Sequence, residues 1–294
     1  MRGVTVGALN IVMPEPHSAE RYVSLLRDAY RTKQIIKIRG ESAAILGAFG
    51  SAGGEQYISG EIYKFFDLDV SSRWINIEQR APAEDSELEL ISVPDNLKPG
   101  LQAFPFLLHP KKHRIFFLSR ERDEHLGPTD ARRYFMALLN QPKLVAKYGQ
   151  ISVIIEPEQD SLDKIFGMTE LRRLEIELSP PNPDDFDDYE TTIKQRLRDQ
   201  NAQRMQVTLT AEPGESLEPD EETKALSWVA QSNGKVTGRG KIGDGAVTEV
   251  STQQHPMLSN ENYDPDIDTP YAAILRVANK FFAKLSQKKA GQIQ

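Results

Sequence analysis

Four aspartates fall within five positions, Asp184, Asp185, Asp187 and Asp188, directly after a proline-rich run, SPPNPDD. Carboxylates at that density invite comparison with metal-dependent phosphoryl transfer, where oxygens from separate elements surround a cation at about 2 Å. A contiguous run cannot supply that convergence alone. It needs a distant carboxylate, and Glu175 or Glu177, which share one face of an expected strand by alternating with Leu174 and Ile176, would have to provide it. The competing explanation is local. Pro180, Pro181 and Pro183 keep the chain extended, and Asp187 with Glu190 three residues on resembles a capping box. Carboxylates in a first helical turn gain about 0.3–1 kcal/mol each from the helix dipole. The expectation is a helix from Asp187, with no metal, no cofactor and no catalytic residue assigned.

Other chemistry finds less support. The five histidines, His17, His109, His113, His125 and His255, have no zinc-type spacing. His109 and His113 bracket an expected turn beside Lys111 and Lys112 and are expected at the surface. GAFGSAGGEQ (Gly47–Gln56) is rich in glycine but lacks the lysine and hydroxyl of a phosphate loop. GRGK (Gly238–Lys241) could approach a phosphate closely, or mark a bulge in a strand. Glu222-Thr223-Lys224 has an acid-x-lysine spacing but stands too close to Asp220 and at a helix start. There is no GxSxG and no cysteine, which removes thiolate metal sites, disulfides and cysteine nucleophiles.

The positive signal is basic. In the last expected helix Arg276, Lys280, Lys284 and Lys288 recur every four residues, beside an apolar stripe of Ile274, Val277, Phe281 and Leu285. No acid occurs between Ile274 and Gln294. Further clusters are Lys111 to Arg114, Arg172-Arg173, Lys194/Arg196/Arg198 with Arg204, and Arg239 with Lys241 on one strand face. Aromatic stacking platforms are not evident, since Tyr57, Tyr63 and Trp74 serve equally as core. A nucleic-acid site built from Arg172, Arg173, Arg239, Lys241, Arg276, Lys280 and Lys284 would therefore grip backbone phosphates, of duplex DNA more than single strands. The net charge of −7 requires any such surface to be local.

These residues must be positioned by mixed elements. MRGVTVGALNIV alternates as a strand, and its apolar stretch is too short and polar for a membrane span. A helix follows with Ser18 as N-cap and Tyr22, Leu25, Leu26 and Ala29 as its apolar stripe. Strands are expected at QIIKI, AAILGAF, QYISGEIYKFF, RWINIE and ELELISV, then two around the Pro-Lys-Lys turn of LQAFPFLLHPKKHRIFFLSR. From about Leu126 helices and strands alternate: DARRYFMALLN capped by Thr129, ISVIIEP, SLDKIF, LRRLEIELSP, RMQVTLTAEP, EETKALSWVAQ, a hairpin turning at Asp244-Gly245 and a final helix. The expected class is α+β, mixed or antiparallel sheets with flanking helices, in two lobes: 1–125, β-rich with one helix, and 126–294, α/β and ending in the basic helix.

The ordered set ISGEIYKFFDLD…W (Ile58–Trp74), RRLEIELSPPNPDD (Arg172–Asp185) and SNGKVTGRG…VSTQQHP (Ser232–Pro256) resembles an uncharacterised bacterial domain-of-unknown-function family associated with mobile elements and phage defence. More distantly the organisation is similar to the RexA phage-exclusion and KwaB (Kiwa system) families. The resemblance implies a DNA-binding, often dimeric α+β protein acting in phage defence, and carries no site residues. The combined expectation is a cytoplasmic, homodimeric, nucleic-acid-binding protein without a membrane partner. The alternatives are a metal-dependent nuclease or toxin using the aspartates, and a protein-interaction subunit docking a basic partner through acidic loops 84–89 and 215–222.

Overall fold

The computed structural model describes residues 1–16, 18–52, 56–69, 72–158, 160–180 and 188–291. Its fold is α+β, and every strand pairing in it is antiparallel. The largest sheet runs β10 (Ser152–Ile155), β1 (Arg2–Val12), β8 (Arg114–Glu121), β7 (Gln102–His109), β4 (Tyr57–Phe66), β3 (Ser42–Ala52), β2 (Ile36–Arg39). β15 (Leu258–Tyr263) also pairs with β1, and the short β9 (Glu124–His125) pairs with β8. β1 is therefore central. Its first half pairs with β15 (Arg2↔Tyr263 to Gly7↔Leu258) and its second half with β10 (Leu9↔Ile155 to Val12↔Ser152), while β8 takes the other flank.

Both faces of this sheet are covered, which is why β1 and β8 read as nearly unbroken apolar runs. Leu9, Ile11, Phe106, Ile115 and Phe117 face α1 (Ala19–Thr32), α3 (Pro128–Leu139) and α4 (Pro142–Tyr148). Val4, Val6, Ala8, Phe116 and Leu118 face α8 (Pro270–Gly291), which contributes Ile274, Val277 and Phe281. In α1 the Ser18 hydroxyl accepts from the Arg21 N–H, and Tyr22, Leu25, Leu26 and Ala29 are the buried residues, as the spacing predicts. α3 is capped at Gly127 with Pro128 in its first turn, not at Thr129. Pro142, expected only to follow that helix, opens α4.

ELELISV does not form a strand. Glu87 accepts from the Glu84 N–H at 2.9 Å and pins a short helix, α2 (Asp85–Leu88). The segment belongs to an arm, residues 67–101, joining β4 to β7, whose only other regular structure among the described residues is the small pair β5 (Ile75–Asn76) and β6 (Ala81–Pro82). An alternating sequence becomes a strand only beside a pairing partner.

After β10 the chain leaves the large sheet and builds a second one, in the order β12 (Met205–Thr210), β11 (Glu170–Leu178), β13 (Gly234–Lys241), β14 (Thr248–Ser251). α5 (Ser161–Phe166), α6 (Asp188–Asp199) and α7 (Glu221–Asn233) share its core with Leu174, Ile176 and Val236. The chain then returns through β15. A Pro157↔Pro256 bridge and a 2.8 Å hydrogen bond from the Glu158 N–H to the His255 carbonyl close the neck. The unit spanning about 157–256 is thus inserted between two strands of the first sheet. The division expected at residue 125 becomes a discontinuous one, because α3, α4, β10, β15 and α8 all complete the first core. The expected β13–β14 hairpin forms, but Gly240 pairs with Thr248 and Gly243 has φ 60°, so the connection is a longer loop than a two-residue turn at Asp244-Gly245.

The two units meet at a buried polar seam. Arg114 and Glu156, 4 % and 2 % exposed, form an ion pair. Arg114 Nη1 donates to Asn10 Oδ1 at 2.7 Å, Asn10 Nδ2 donates to the Ser232 carbonyl at 2.7 Å, and Ser232 Oγ donates to Glu156 Oε2 at 3.1 Å. Removing one member of a buried pair strands the other charge, at a cost of about 3–5 kcal/mol, whereas replacing both by apolar groups costs far less. Arg114→Met alone is expected to destabilise by that amount, and Arg114→Met with Glu156→Leu to recover most of the loss. Chemical denaturation checks this; equal losses in the single and double variants would refute it.

Candidate electropositive groove

α6 is anchored by Ile193 and Leu197, four residues apart and buried in the core of the inserted unit. Lys194 and Arg198, one position on in each case, share the flank beside that stripe and line a cleft of about 500 Å³. The helix ends with Asn201 at φ 50° and the Ala202 N–H bonded to the Leu197 carbonyl at 2.9 Å, a left-handed cap that turns the chain so that Arg204 also lines the cleft. The opposite wall comes from the end of β1 and the edge strand β10, through Val12, Met13, Glu15 and Ser152.

A second cleft of about 310 Å³ shares Ser152, Ser179 and Arg204 with the first and adds Arg132, Glu177 and Lys235. Together they make one groove along the junction of the two units. Among the described residues five cations line it, Arg132, Lys194, Arg198, Arg204 and Lys235, against two carboxylates, Glu15 and Glu177. Glu15 lies 2.8 Å from Lys194 and is also paired with Arg198, and Glu177 lies 3.9 Å from Arg204. The hydrogen bond from Lys194 holds the Glu15 carboxyl below the usual carboxylate range, with further help from Arg198. No aromatic side chain lines either cleft among the described residues.

The residues singled out from sequence lie elsewhere, in two groups. Arg172, Arg173, Arg239 and Lys241 gather on the β11–β13 pair, where Arg173 and Arg239 are cross-strand neighbours. Arg172 and Lys241 both pair with Glu170, at 2.6 and 2.8 Å, and Arg173 pairs with Glu175 at 2.6 Å. On α8, Arg276 pairs with Asp268 at 2.8 Å and Lys280 with Glu261 at 2.6 Å, while Lys284 is exposed one turn on. The helix itself lacks acids, but β15 and the loop after it supply them. The Lys288 side chain lies outside the described ones.

The histidines require a correction. His109 and His113 are buried, 5 % and 0 % exposed, on opposite faces of the sheet. His109 packs against Tyr57 and Phe282, and His113 against Tyr22 with ring centroids 4.4 Å apart. The glycines of GRGK have a packing explanation: a Cβ at Gly240 would lie 2.0 Å from the Glu170 carbonyl, and one at Gly238 would meet Ile165. Asp184, Asp185 and Asp187, with His17, Gly53 and Gly54, lie outside the described residues. α6 starts at Asp188, and among the described residues no three metal-ligating side chains converge. Nor is any described helix long and apolar enough to cross a membrane.

The profile of a domain of unknown function, DUF4747, matches residues 2–279. The chain belongs to the DUF4747 family. That match spans the large sheet, the inserted unit and the first ten residues of α8, so the groove lies wholly within the DUF4747 domain. A search of curated proteins found no match.

Glu15, Arg132 and Lys235 were missed from sequence. Each is an ordinary charge in its own segment and acquires a role only where β1, α3 and β13 come together. Because Glu15 titrates lower in the folded protein than in the unfolded chain, its pairing favours folding at neutral pH, and that contribution is lost as pH falls below the ordinary carboxylate range. Lys194→Met is expected to raise the Glu15 pKa, read by NMR titration of its side-chain carboxyl. An unchanged midpoint would mean that the lysine does not govern it.

Proposed function

We propose that this DUF4747 protein binds nucleic acid, with duplex DNA as the expected form, by seating a phosphate backbone along the groove between its two units, and that it does so in anti-phage defence. The observation that carries this reading is the excess of five cations over two carboxylates among the described residues of the groove, in a molecule whose net charge is −7. Such a local field attracts a polyanion that the whole molecule repels. The remaining lining, with Gln150, Ser152, Ser179, Asn201 and Gln203, suits hydrogen bonds to phosphate and sugar oxygens. With no aromatic platform among the described residues of the groove, contact falls on the backbone and is tolerant of sequence. The defence setting comes from the sequence resemblance alone.

The basic groups on β11–β13 and α8 would extend the contact, but their intramolecular acids must first be displaced. Groove and helix are separable by experiment. Lys194→Ala with Arg198→Ala is expected to weaken binding of labelled duplex about tenfold and to flatten the log affinity against log salt slope by about two. Arg276→Ala with Lys280→Ala is expected to have a smaller effect. Fluorescence anisotropy at low and raised salt measures both. Undiminished binding by the groove variant would defeat the reading, and magnesium-dependent cleavage abolished by Asp184→Asn would favour the nuclease alternative.

A further inference from the structure

Eight of the fifteen large apolar side chains exposed among the described residues fall between Phe66 and Leu101. Ile75, Ile77 and Leu90 are 66 %, 80 % and 83 % exposed. Such a concentration on one surface segment marks a contact surface, since scattered exposure is ordinary and clustered exposure is not. The same arm, residues 67–101, carries eight acids and three bases, and so accounts for −5 of the net −7. Its base is fixed to the sheet. The Phe66 N–H donates to the Pro99 carbonyl at 2.9 Å and Asp67 pairs with Lys98 at 2.7 Å. What the arm presents is thus apolar and acidic, and its complement must be basic with apolar ground between the charges.

The groove has that chemistry. Beside its cations it presents Pro14, exposed, and Ala202, half-buried. In the structure the arm and the groove of one molecule do not meet: no described residue of 67–101 lines either cleft, and the arm is rooted at the far end of the large sheet. Gln102, where the arm ends, pairs with Lys64 near the start of β7, on the side where Val4 pairs with Glu121. The groove begins at Val12, where β1 pairs with Ser152. At about 3.3 Å per strand residue the two are about 30 Å apart.

We propose that two copies associate by seating the acidic, apolar arm of each in the basic groove of the other. Reciprocal exchange closes under a two-fold axis, leaving no unsatisfied arm or groove to propagate a chain. The inference depends on the charges and shape of the groove, whether or not it also binds nucleic acid.

Sedimentation velocity of the full chain over a range of concentration and salt tests it without nucleic acid present. The expected result is a salt-sensitive monomer–dimer equilibrium. Ile77→Ser with Leu90→Ser is expected to raise the dimer dissociation constant about tenfold or more, as for loss of apolar anchors, and Arg198→Glu to do likewise. Adding Glu89→Arg to Arg198→Glu in one chain restores the charge match and is expected to recover part of the association. These positions are exposed, and unchanged thermal unfolding confirms that each variant folds. A monomer at every concentration, a dimer indifferent to the arm substitutions, or no recovery by the charge swap would each overturn the proposal. Arm and duplex would occupy the same groove, so DNA binding is measured on the Ile77→Ser, Leu90→Ser variant, whose groove is free; failure of that variant to bind would count against the proposed function alone.

Discussion

The buried seam of Arg114, Glu156, Asn10 and Ser232 is the constraint on which the rest of the structure depends. It joins β8, β1, the end of β10 and the end of α7, the points where the inserted unit meets the large sheet. A charged pair in a site of this depth gains little over a hydrophobic contact of the same size. What it adds is direction: hydrogen bonds of fixed geometry admit one docking arrangement where apolar packing tolerates several. The groove is a product of that arrangement, since its walls come from both units.

Topology reinforces the seam. The chain leaves and rejoins the large sheet along the same flank of β1, so the inserted unit is held by two covalent connections and a closed neck. Its position relative to β10 is thereby restricted even before side chains engage. Cations from α6, the turn after it, β13 and α3 then face one another across a junction that no local segment encodes. Glu15 moderates this field by pairing with Lys194 and Arg198, and the described residues of the groove keep an excess of cations.

Charge is distributed in the opposite sense at the other end of the sheet, where the arm collects most of the molecule's net negative charge. A uniform −7 would disfavour polyanions everywhere. Segregation lets one molecule carry a basic groove and an acidic arm without either neutralising the other, because the length of β1 exceeds the roughly 8–10 Å over which charges act through physiological salt.

Local patterns were legible in the sequence because they are short-range. The Ser18 cap and the stripe of Tyr22, Leu25, Leu26 and Ala29 in α1, the β7–β8 hairpin about Pro110 to Lys112, and the buried face of α8 at Ile274, Val277 and Phe281 follow from period, capping and turn chemistry within a few residues. The α+β class follows from the same patterns. What the sequence could not decide was which strands pair at a distance, because a period of two specifies a face and not a neighbour. Hence β10, β15 and α8 joined the first sheet across the expected boundary, and ELELISV, lacking a partner, became part of the arm. The same limit governs charge. Arg276 and Lys280 stood free of acids along their helix and acquired Asp268 and Glu261 only through folding, while Lys194, Arg198 and Arg204 became a groove when Arg132 and Lys235 arrived from other elements. Residue type and spacing determined the elements, and tertiary structure alone decided which charges meet, because electrostatic interaction depends on distance in space and on burial.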